Sequence, residues 1–161
     1  MNRTVRRPSV PLGVYTRPAV GADATSVAGW VRAMREHARR LAEAGQLWDA
    51  VEAYNHAIVA EPLNASMLLS KAVLLQRAGH HEHAIAVFDR ALALAPQDVA
   101  VHYHVAITRL ALGSPELALA HLRYAAHAEP RLRFEMAEDP QLAALRGHPA
   151  FRKLVGARGY R

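Results

Sequence analysis

The densest group of side chains that could bind a metal lies at residues 80–83, in the order His80, His81, Glu82, His83. His80 and His83 are three residues apart and would share one face of a helix, where His81 could add a third ligand. Neutral imidazole is a good ligand for zinc and nickel. Whether these residues form a metal site depends on the structural element that carries them.

The rest of the sequence contains no recognisable catalytic motif. No HExxH, GxSxG or GxxxxGK pattern occurs. The absence of cysteine excludes disulfides, thiolate catalysis and sulfur-rich zinc or iron–sulfur sites. The fourteen acidic residues are scattered, mostly where solvation or a helix dipole accounts for them. We therefore predict a non-enzymatic protein that needs no cofactor.

The composition is typical of closely packed helices. Apolar residues make up 52% of the chain but aromatic residues only 6%, so small and aliphatic helix formers dominate. No apolar run approaches the roughly 20 residues of a membrane-spanning helix, and no apolar segment follows the N-terminal arginines. These features predict a cytoplasmic protein without membrane contact. Eighteen arginines against two lysines favour a bacterial source.

The positive charge of the chain belongs to its two ends. Residues 1–25 hold four arginines and one aspartate, and residues 131–161 hold seven basic and three acidic residues. Residues 26–130 hold nine basic and ten acidic residues. A nucleic-acid-binding core would carry a basic stripe along its own elements. Nucleic acid is therefore an unlikely partner of the core, although the basic ends leave contact with nucleic acid or an acidic surface open.

A repeat with a fixed period organises the middle of the chain. Three rows of equal length that start at Val31, Ala65 and Val99 align without a gap, and five columns are identical in all three rows. A sixth column is apolar or aromatic throughout. The six columns are Ala38, Ala72 and Ala106; Gly45, Gly79 and Gly113; Ala50, Ala84 and Ala118; Tyr54, Phe88 and Leu122; Ala57, Ala91 and Ala125; and Pro62, Pro96 and Pro130.

Each column has a physical role in a pair of helices. Glycine allows the left-handed conformation that commonly follows a helix C-terminus. Proline ends the second helix because it lacks the N–H that would continue the hydrogen-bond ladder. Alanine in mid-helix lets a neighbouring helix approach closely. The repeat unit is therefore a helix, a tight turn, a second helix and a proline break.

The rows resemble tetratricopeptide repeats (TPRs). The second half of each row has the typical alanine, aromatic or apolar residue four positions later, and closing proline, whereas Met34, Leu68 and His102 stand where tryptophan is usual. The resemblance implies an all-α, right-handed solenoid of three units at residues 31–64, 65–98 and 99–132. It places residues 80–83 in the inter-helix turn of the second unit. We therefore predict a solvated turn there rather than a metal site, with incidental metal affinity left open.

The resemblance also implies a concave groove, lined by the first helix of each unit, that binds a protein or peptide. The corresponding residues are Arg32, Arg35, Arg39, Leu69, Ser70, Val73, Tyr103, His104 and Ile107. The segment around Leu69 and Val73 is apolar on nearly all sides, so these two side chains should face something other than the core. The groove chemistry predicts a partner with apolar anchors and some acidic character. Asparagine is missing from the groove positions that a chaperone-tail clamp requires, so co-chaperone function is unlikely.

The two ends of the chain are expected to differ from the repeats. Residues 1–22 should form a basic, proline-containing flexible arm, and the first helix should begin after Asp23, Thr25 or Ser26 and run to Ala44. Residues 133–161 should form short capping helices and a basic tail, with helices starting at Pro140 and Pro149. The apolar residues expected to cover the last unit are Phe134, Leu142, Leu145, Phe151 and Leu154.

Two narrower functions remain open beside a general interaction module. The size and the three units resemble those of bacterial type III secretion chaperones, which bind segments of secreted translocators. Alternatively, the chain is a self-associating scaffold, a homo-oligomer in which the apolar residues 10–15 of the arm occupy a groove. In that case the basic ends would contact nucleic acid or acidic surfaces.

Overall fold

The computed structural model describes residues 26–156, and every regular element among them is helical, as predicted. The helices are α1 Val27–Glu43, α2 Leu47–Ala60, α3 Ala65–Arg77, α4 His81–Leu94, α5 Val99–Ala111, α6 Pro115–Ala128, α7 Leu132–Glu138, a 3₁₀ helix Pro140–Leu145 and α8 Pro149–Val155. None of these helices is both long and apolar enough to cross a membrane. The predicted arm at residues 1–22 and the tail beyond residue 156 lie outside the described residues.

Tight glycine turns join the two helices of each unit. Gly45, Gly79 and Gly113 have φ angles of 78°, 80° and 71°. In every turn the N–H of the next residue donates to a carbonyl five residues earlier, as from His80 to Leu75 at 2.9 Å. This hydrogen bond and the positive φ define a Schellman motif. Its left-handed backbone conformation is unfavourable for a residue with a Cβ, so glycine is preferred there. The glycine column therefore sets the path of the chain between the paired helices.

The alanine columns lie at the contacts between helices. All nine alanines of the three columns are completely buried, and so are Phe88 and Leu122, while Tyr54 is half-buried. The second helices end at Ala60, Leu94 and Ala128, two residues before the exposed prolines of the repeat. α2 packs on α3 and α4 on α5, so the three pairs stack in chain order.

Side-chain caps begin the first helix of each unit. The Ser26 hydroxyl accepts a hydrogen bond from the N–H of Gly29 at 3.0 Å, and Asn64 and Asp98 cap α3 and α5 in the same way. Asn64 and Asp98 occupy equivalent positions of the repeat, whereas Ser26 precedes its periodic position by four residues. α1 is consequently one turn longer than α3 and α5 at its N-terminal end.

The buried residues form two clusters that meet at α5. Val101 and Val105 belong to the first cluster, which extends back to α1. Ala106 and Ile107 belong to the second, which extends forward to α8. Opposite sides of α5 therefore hold the N-terminal and C-terminal halves of the molecule together.

The C-terminal region contains a helix that the sequence reasoning missed. Met136 follows His102 by one full period of the repeat and is completely buried, so α7 corresponds in sequence to the first helix of a fourth unit. Pro140 stands where the column of Ala106 would continue, and proline in a helix interior removes a hydrogen bond and clashes with the preceding turn. α7 therefore stops after seven residues.

The predicted cap is correct at some positions and wrong at others. Leu142, Leu145 and Phe151 are buried, as expected, and Leu154 is half-buried. The prediction for Phe134 is wrong, because this residue is 75% exposed. Met136 occupies the core-facing side of α7, and a residue two positions earlier lies about 200° away around a helix. The predicted helix at Pro140 is a 3₁₀ helix rather than an α-helix.

Candidate functional site

One face of the first helices carries equivalent positions of the repeat. Arg35, Leu69 and Tyr103 occupy the same column of the three rows and lie on α1, α3 and α5. Because the units stack in order and α3 contacts α5, equivalent residues face the same side of the solenoid. We call this side the concave face. It changes from basic at α1 to apolar at α3 and aromatic at α5.

The α1 end of the concave face is basic. Arg32, Arg35 and Arg39 are all exposed. Nη2 of Arg39 lies 2.9 Å from Oε1 of Glu36, and its Nε lies 3.9 Å from Oε1 of Glu43. Arg32 and Arg35 form no ion pair with a residue in the range 26–156. Exposed pairs such as those of Arg39 contribute little stability, so all three guanidinium groups are available to an acidic ligand.

The α3 part of the concave face is apolar. Leu69 and Val73 lie one helical turn apart and are half-buried, with one side packed against the first core cluster. The hydroxyl of Ser70 donates to the backbone carbonyl oxygen of Ser66 at 2.9 Å, so its hydrogen is already used within α3. Apolar contact is therefore the main interaction that this segment offers.

Tyr103 connects α5 to the C-terminal cap. Its hydroxyl donates to Oδ2 of Asp139 at 2.5 Å, and Oδ1 of Asp139 accepts from the N–H of Gln141 at 2.8 Å. Burial raises the pKa of the Tyr103 hydroxyl well above its ordinary value, and the hydrogen bond to Asp139 and the charges of Asp139 and Glu135 raise it further. The hydroxyl therefore remains a proton donor that holds the cap against α5.

His104 is fixed beside Tyr103 by contacts with two earlier helices. Its Nδ1 lies 3.2 Å from Oε1 of Gln76, and its ring stacks on Phe88 with 6.2 Å between ring centroids. Burial lowers the pKa of His104, while the charge of Asp139 opposes the shift. The imidazole is consequently neutral at pH 7, and its Nδ1–H donates to the amide oxygen of Gln76.

A cavity of about 590 Å³ opens between α5 and α7. Four carboxylates lie among its walls, together with the first turns of α5 and the start of the 3₁₀ helix. The lining residues are Val99, Ala100, Tyr103, His104, Glu129, Leu132, Glu135, Glu138, Asp139 and Pro140. Tyr103 and His104 belong both to the predicted groove and to this cavity, so the concave face ends in an acidic recess.

Comparison with protein families identifies the repeat. The tetratricopeptide repeat family matches residues 35–99 and 71–139, which together span 105 of the 161 residues. The chain belongs to the TPR family. The second match extends to the end of α7, in agreement with the continuation of the period into that helix.

Solved TPR structures share the fold at low sequence identity. The first TPR domain of RPAP3, bound to the HSP90 peptide SRMEEVD, is 18% identical with a TM-score of 0.62, covering 80% of this chain and 92% of that one. The Yersinia enterocolitica chaperone SycD, in complex with a YopD peptide, is 17% identical with a TM-score of 0.63, covering 71% and 91%. The Arabidopsis OM64 TPR domain is 19% identical with a TM-score of 0.64, covering 80% and 97%. No curated protein gives a significant match.

Ile107 differs from the other residues predicted to line the TPR groove. It is only 7% exposed and belongs to the second core cluster. Its side chain packs within the solenoid rather than presenting surface to a ligand. The prediction that Ile107 lines the groove is therefore wrong.

The histidines at residues 80–83 lie at the turn before α4 and in its first residues. The ring of His80 contacts Trp48 edge-on, with centroids 4.6 Å apart, and His83 lies 6.0 Å from His80. Within residues 26–156 no group of three or more histidine or acidic side chains is arranged to hold a metal ion. The contact with Trp48 gives His80 a packing role between the turns of neighbouring TPR units.

Another histidine pair was missed by sequence reasoning. Nδ1 of His102 lies 2.9 Å from Nδ1 of His121, and Nε2 of His102 lies 3.0 Å from the carbonyl oxygen of Pro96. A carbonyl accepts only, so Nε2–H of His102 donates to it, and in the neutral pair Nδ1–H of His121 donates to His102. The ring of His102 also stacks on Tyr124 at 4.0 Å. The sequence pointed to this pair only through His102, which stands where tetratricopeptide repeats usually have tryptophan.

Proposed function

We propose that this TPR protein is a non-enzymatic interaction module that binds an extended segment of a partner along the concave face of α1, α3 and α5. The observation that carries the proposal is the half-buried pair Leu69 and Val73 between charged ends of one continuous face. Apolar side chains of a partner would bury against this pair, while exposed arginines at α1 would contact acidic residues.

The structural relatives support this use of the fold. RPAP3 holds an HSP90 peptide and SycD holds a YopD peptide, so TPR solenoids of this size accommodate short segments. The proposal extends that capacity to the present chain, with the anchors that its own residues supply. This chain is only 18% and 17% identical to these two structures, so their peptides do not predict the partner of this chain. The sequence of the partner segment has to be inferred from the residues of the groove itself.

The proposal is tested by selecting binders from a library of random twelve-residue peptides and measuring their affinity by fluorescence anisotropy. Replacing Leu69→Ser and Val73→Thr should weaken binding more than about tenfold, because the apolar anchors are lost. The matched control replaces Val59→Ser and Leu63→Ser, which are 83% and 79% exposed on other surfaces. If binding depends equally on both pairs, or on neither pair, the peptide does not bind in the groove and the proposal is wrong.

A second candidate is a chaperone for segments of secreted proteins, favoured by the shared architecture with SycD. This candidate function includes a bacterial source and a cytoplasmic location, both of which are inferred from the amino-acid composition. Co-expression with the products of neighbouring genes tests it, since a chaperone should form a stable stoichiometric complex with one of them. A complex that forms equally well after the Leu69→Ser and Val73→Thr changes would count against it. Light scattering of the full chain would reveal a homo-oligomer instead.

A further inference from the structure

We infer that the groove is electrically polarised and selects a segment with acidic residues at one end and a lysine or arginine at the other. The cationic residue enters the cavity between α5 and α7, and the acidic residues contact α1. This inference rests on the proposed function and adds the charge order and the charge spacing of the bound segment.

The carboxylates of the cavity come from three places in the chain. Glu129 lies at the end of α6, Glu135 and Glu138 lie on α7, and Asp139 lies at the junction with the 3₁₀ helix. Both oxygens of Asp139 already accept hydrogen bonds, from Tyr103 and Gln141. The three glutamates form no ion pair with any cation among residues 26–156. Their carboxylates are therefore unpaired within the described fold, and the nearest cation contact is Nη2 of Arg146, which donates to the backbone carbonyl oxygen of Glu138 at 3.4 Å.

The walls of the cavity suit an extended organic cation rather than a metal ion. No three of the described carboxylates are arranged to hold one metal ion. Val99, Leu132 and Pro140 supply apolar walls beside the glutamates. Lysine and arginine place an aliphatic stem along apolar surface while the charged head meets carboxylates, and the ring of Tyr103 adds a face for a cation. No lysine or arginine of the described chain lines the cavity.

The opposite end of the groove has the complementary charge. Arg32 and Arg35 are exposed and without ion pairs in the described chain, and they lie on α1, the first of four helices in the row α1, α3, α5 and α7. Helix axes in packed proteins are about 8–10 Å apart, so three intervals place the two ends on the order of 30 Å from each other. An extended chain advances about 3.3 Å per residue, which separates the two charges by about nine residues.

The apolar centre fixes what lies between the charges. Leu69 and Val73 lie on α3, one interval from α1 and two from α7, so the bound segment should present apolar side chains there, nearer its acidic end. Successive side chains of an extended segment point to opposite sides, and the apolar residues should therefore alternate with residues that face solvent. The complete pattern is acidic, then alternating apolar, then basic, over about ten residues.

The peptide selection is repeated on two charge-neutral variants. One carries Glu129→Gln, Glu135→Gln and Glu138→Gln in the cavity, and the other carries Arg32→Gln, Arg35→Gln and Arg39→Gln on α1. Wild-type protein should enrich peptides with Asp or Glu about nine residues from Lys or Arg. The cavity variant should lose only the preference for Lys and Arg, and the α1 variant only the preference for Asp and Glu. For a selected peptide, each neutralisation should weaken binding about tenfold.

Control variants carry Glu82→Gln on α4 and Arg123→Gln on α6, exposed charges on second helices. They should leave the selected patterns unchanged, and circular dichroism melts should show that all variants fold. Peptides that need Leu69 and Val73 but show no charge order would overturn this inference and leave the proposed function standing. If the cavity variant selects peptides with the same charge order as the wild type, this inference is also overturned and the proposed function stands. A library that yields no peptide dependent on Leu69 and Val73 would overturn both.

Discussion

The two ends of the concave face differ in how the fold places their charges. At the basic end, Arg32, Arg35 and Arg39 lie on a single helix, and helical spacing alone brings them to one side. At the acidic end, the carboxylates come from the end of α6, from α7 and from the junction before the 3₁₀ helix. The first arrangement survives as long as α1 is helical. The second exists only while the C-terminal cap packs on α5.

This difference means that changes in packing should act on one end and not on the other. The largest effect is expected from Met136→Ala, because Met136 is completely buried and holds α7 in place. Loss of a buried methionine lowers the free energy of unfolding by about 2–5 kcal/mol. Urea denaturation measures the loss, and peptide binding should lose its preference for lysine and arginine.

The matched variant is Met34→Ala, the equivalent position of the first unit, which is 2% exposed. It should lower the free energy of unfolding by a similar amount, about 2–5 kcal/mol, but leave the preference for a cationic residue intact. Equal effects of the two variants on that preference would show that the acidic end does not depend on α7.

A smaller effect is expected from Tyr103→Phe, which removes the hydroxyl that donates to Asp139 and keeps the ring. The free energy of unfolding should fall by about 1–2 kcal/mol, because a half-buried carboxylate loses a donor. Hydrogen exchange should speed up in α7 and the 3₁₀ helix but not in α1. Tyr124→Phe is the control. The Tyr124 ring stacks on His102, and removal of the Tyr124 hydroxyl should change the free energy of unfolding little.

Acid should also weaken the C-terminal half of the solenoid first. Burial lowers the pKa of His104 and of His121, and nearby His102 and Arg109 lower that of His121 further. A lowered pKa in the folded state means that the unfolded chain binds more protons as the pH falls below about 6.5. The stabilising contribution is therefore present above that pH and is lost as the pH falls.

Chemical denaturation at pH 7.5 and pH 5.5 measures this dependence. The variant His104→Gln, His121→Gln should have a smaller difference between the two conditions, since glutamine does not titrate. Hydrogen exchange at pH 5.5 should show α5 and α6 opening before α1 and α2. Faster opening of α1 and α2 would mean that other groups control the acid sensitivity.

The smallest effect is expected at the basic end. Arg39→Gln removes two exposed ion pairs, with Glu36 and Glu43, and should change the free energy of unfolding by no more than about 0.5 kcal/mol. Its effect on binding of an acidic peptide should be larger and should diminish in high salt, because exposed charges are screened. A stability loss above about 1 kcal/mol would show that these pairs contribute to the fold.

The same contrast explains what the sequence could predict. The alanine and glycine columns are visible because stacked units impose identical contacts at identical positions, as at Ala38, Ala72 and Ala106. The arginines of α1 were predictable from spacing within one helix. α7 was missed because Pro140 interrupts the repeat pattern at the alanine column, although Met136 keeps the period.

The acidic recess could not be predicted from local patterns. Tyr103 and Asp139 are 36 residues apart, and only the packed cap brings them together. Phe134 was predicted as a capping residue because it is large and apolar, yet the short α7 buries Met136 and leaves Phe134 outside. Which apolar residue of a short helix faces the core depends on the neighbours that the helix meets.

A paramagnetic label on a bound peptide tests the polarised groove most directly. A selected peptide would carry a nitroxide beside its lysine or arginine end, and amide resonances of the protein would be followed by NMR. Broadening is expected in α7, the 3₁₀ helix and the first turn of α5, while α1 stays sharp. Broadening centred on α1, or spread evenly along α1, α3 and α5, would contradict the charge order assigned to the groove.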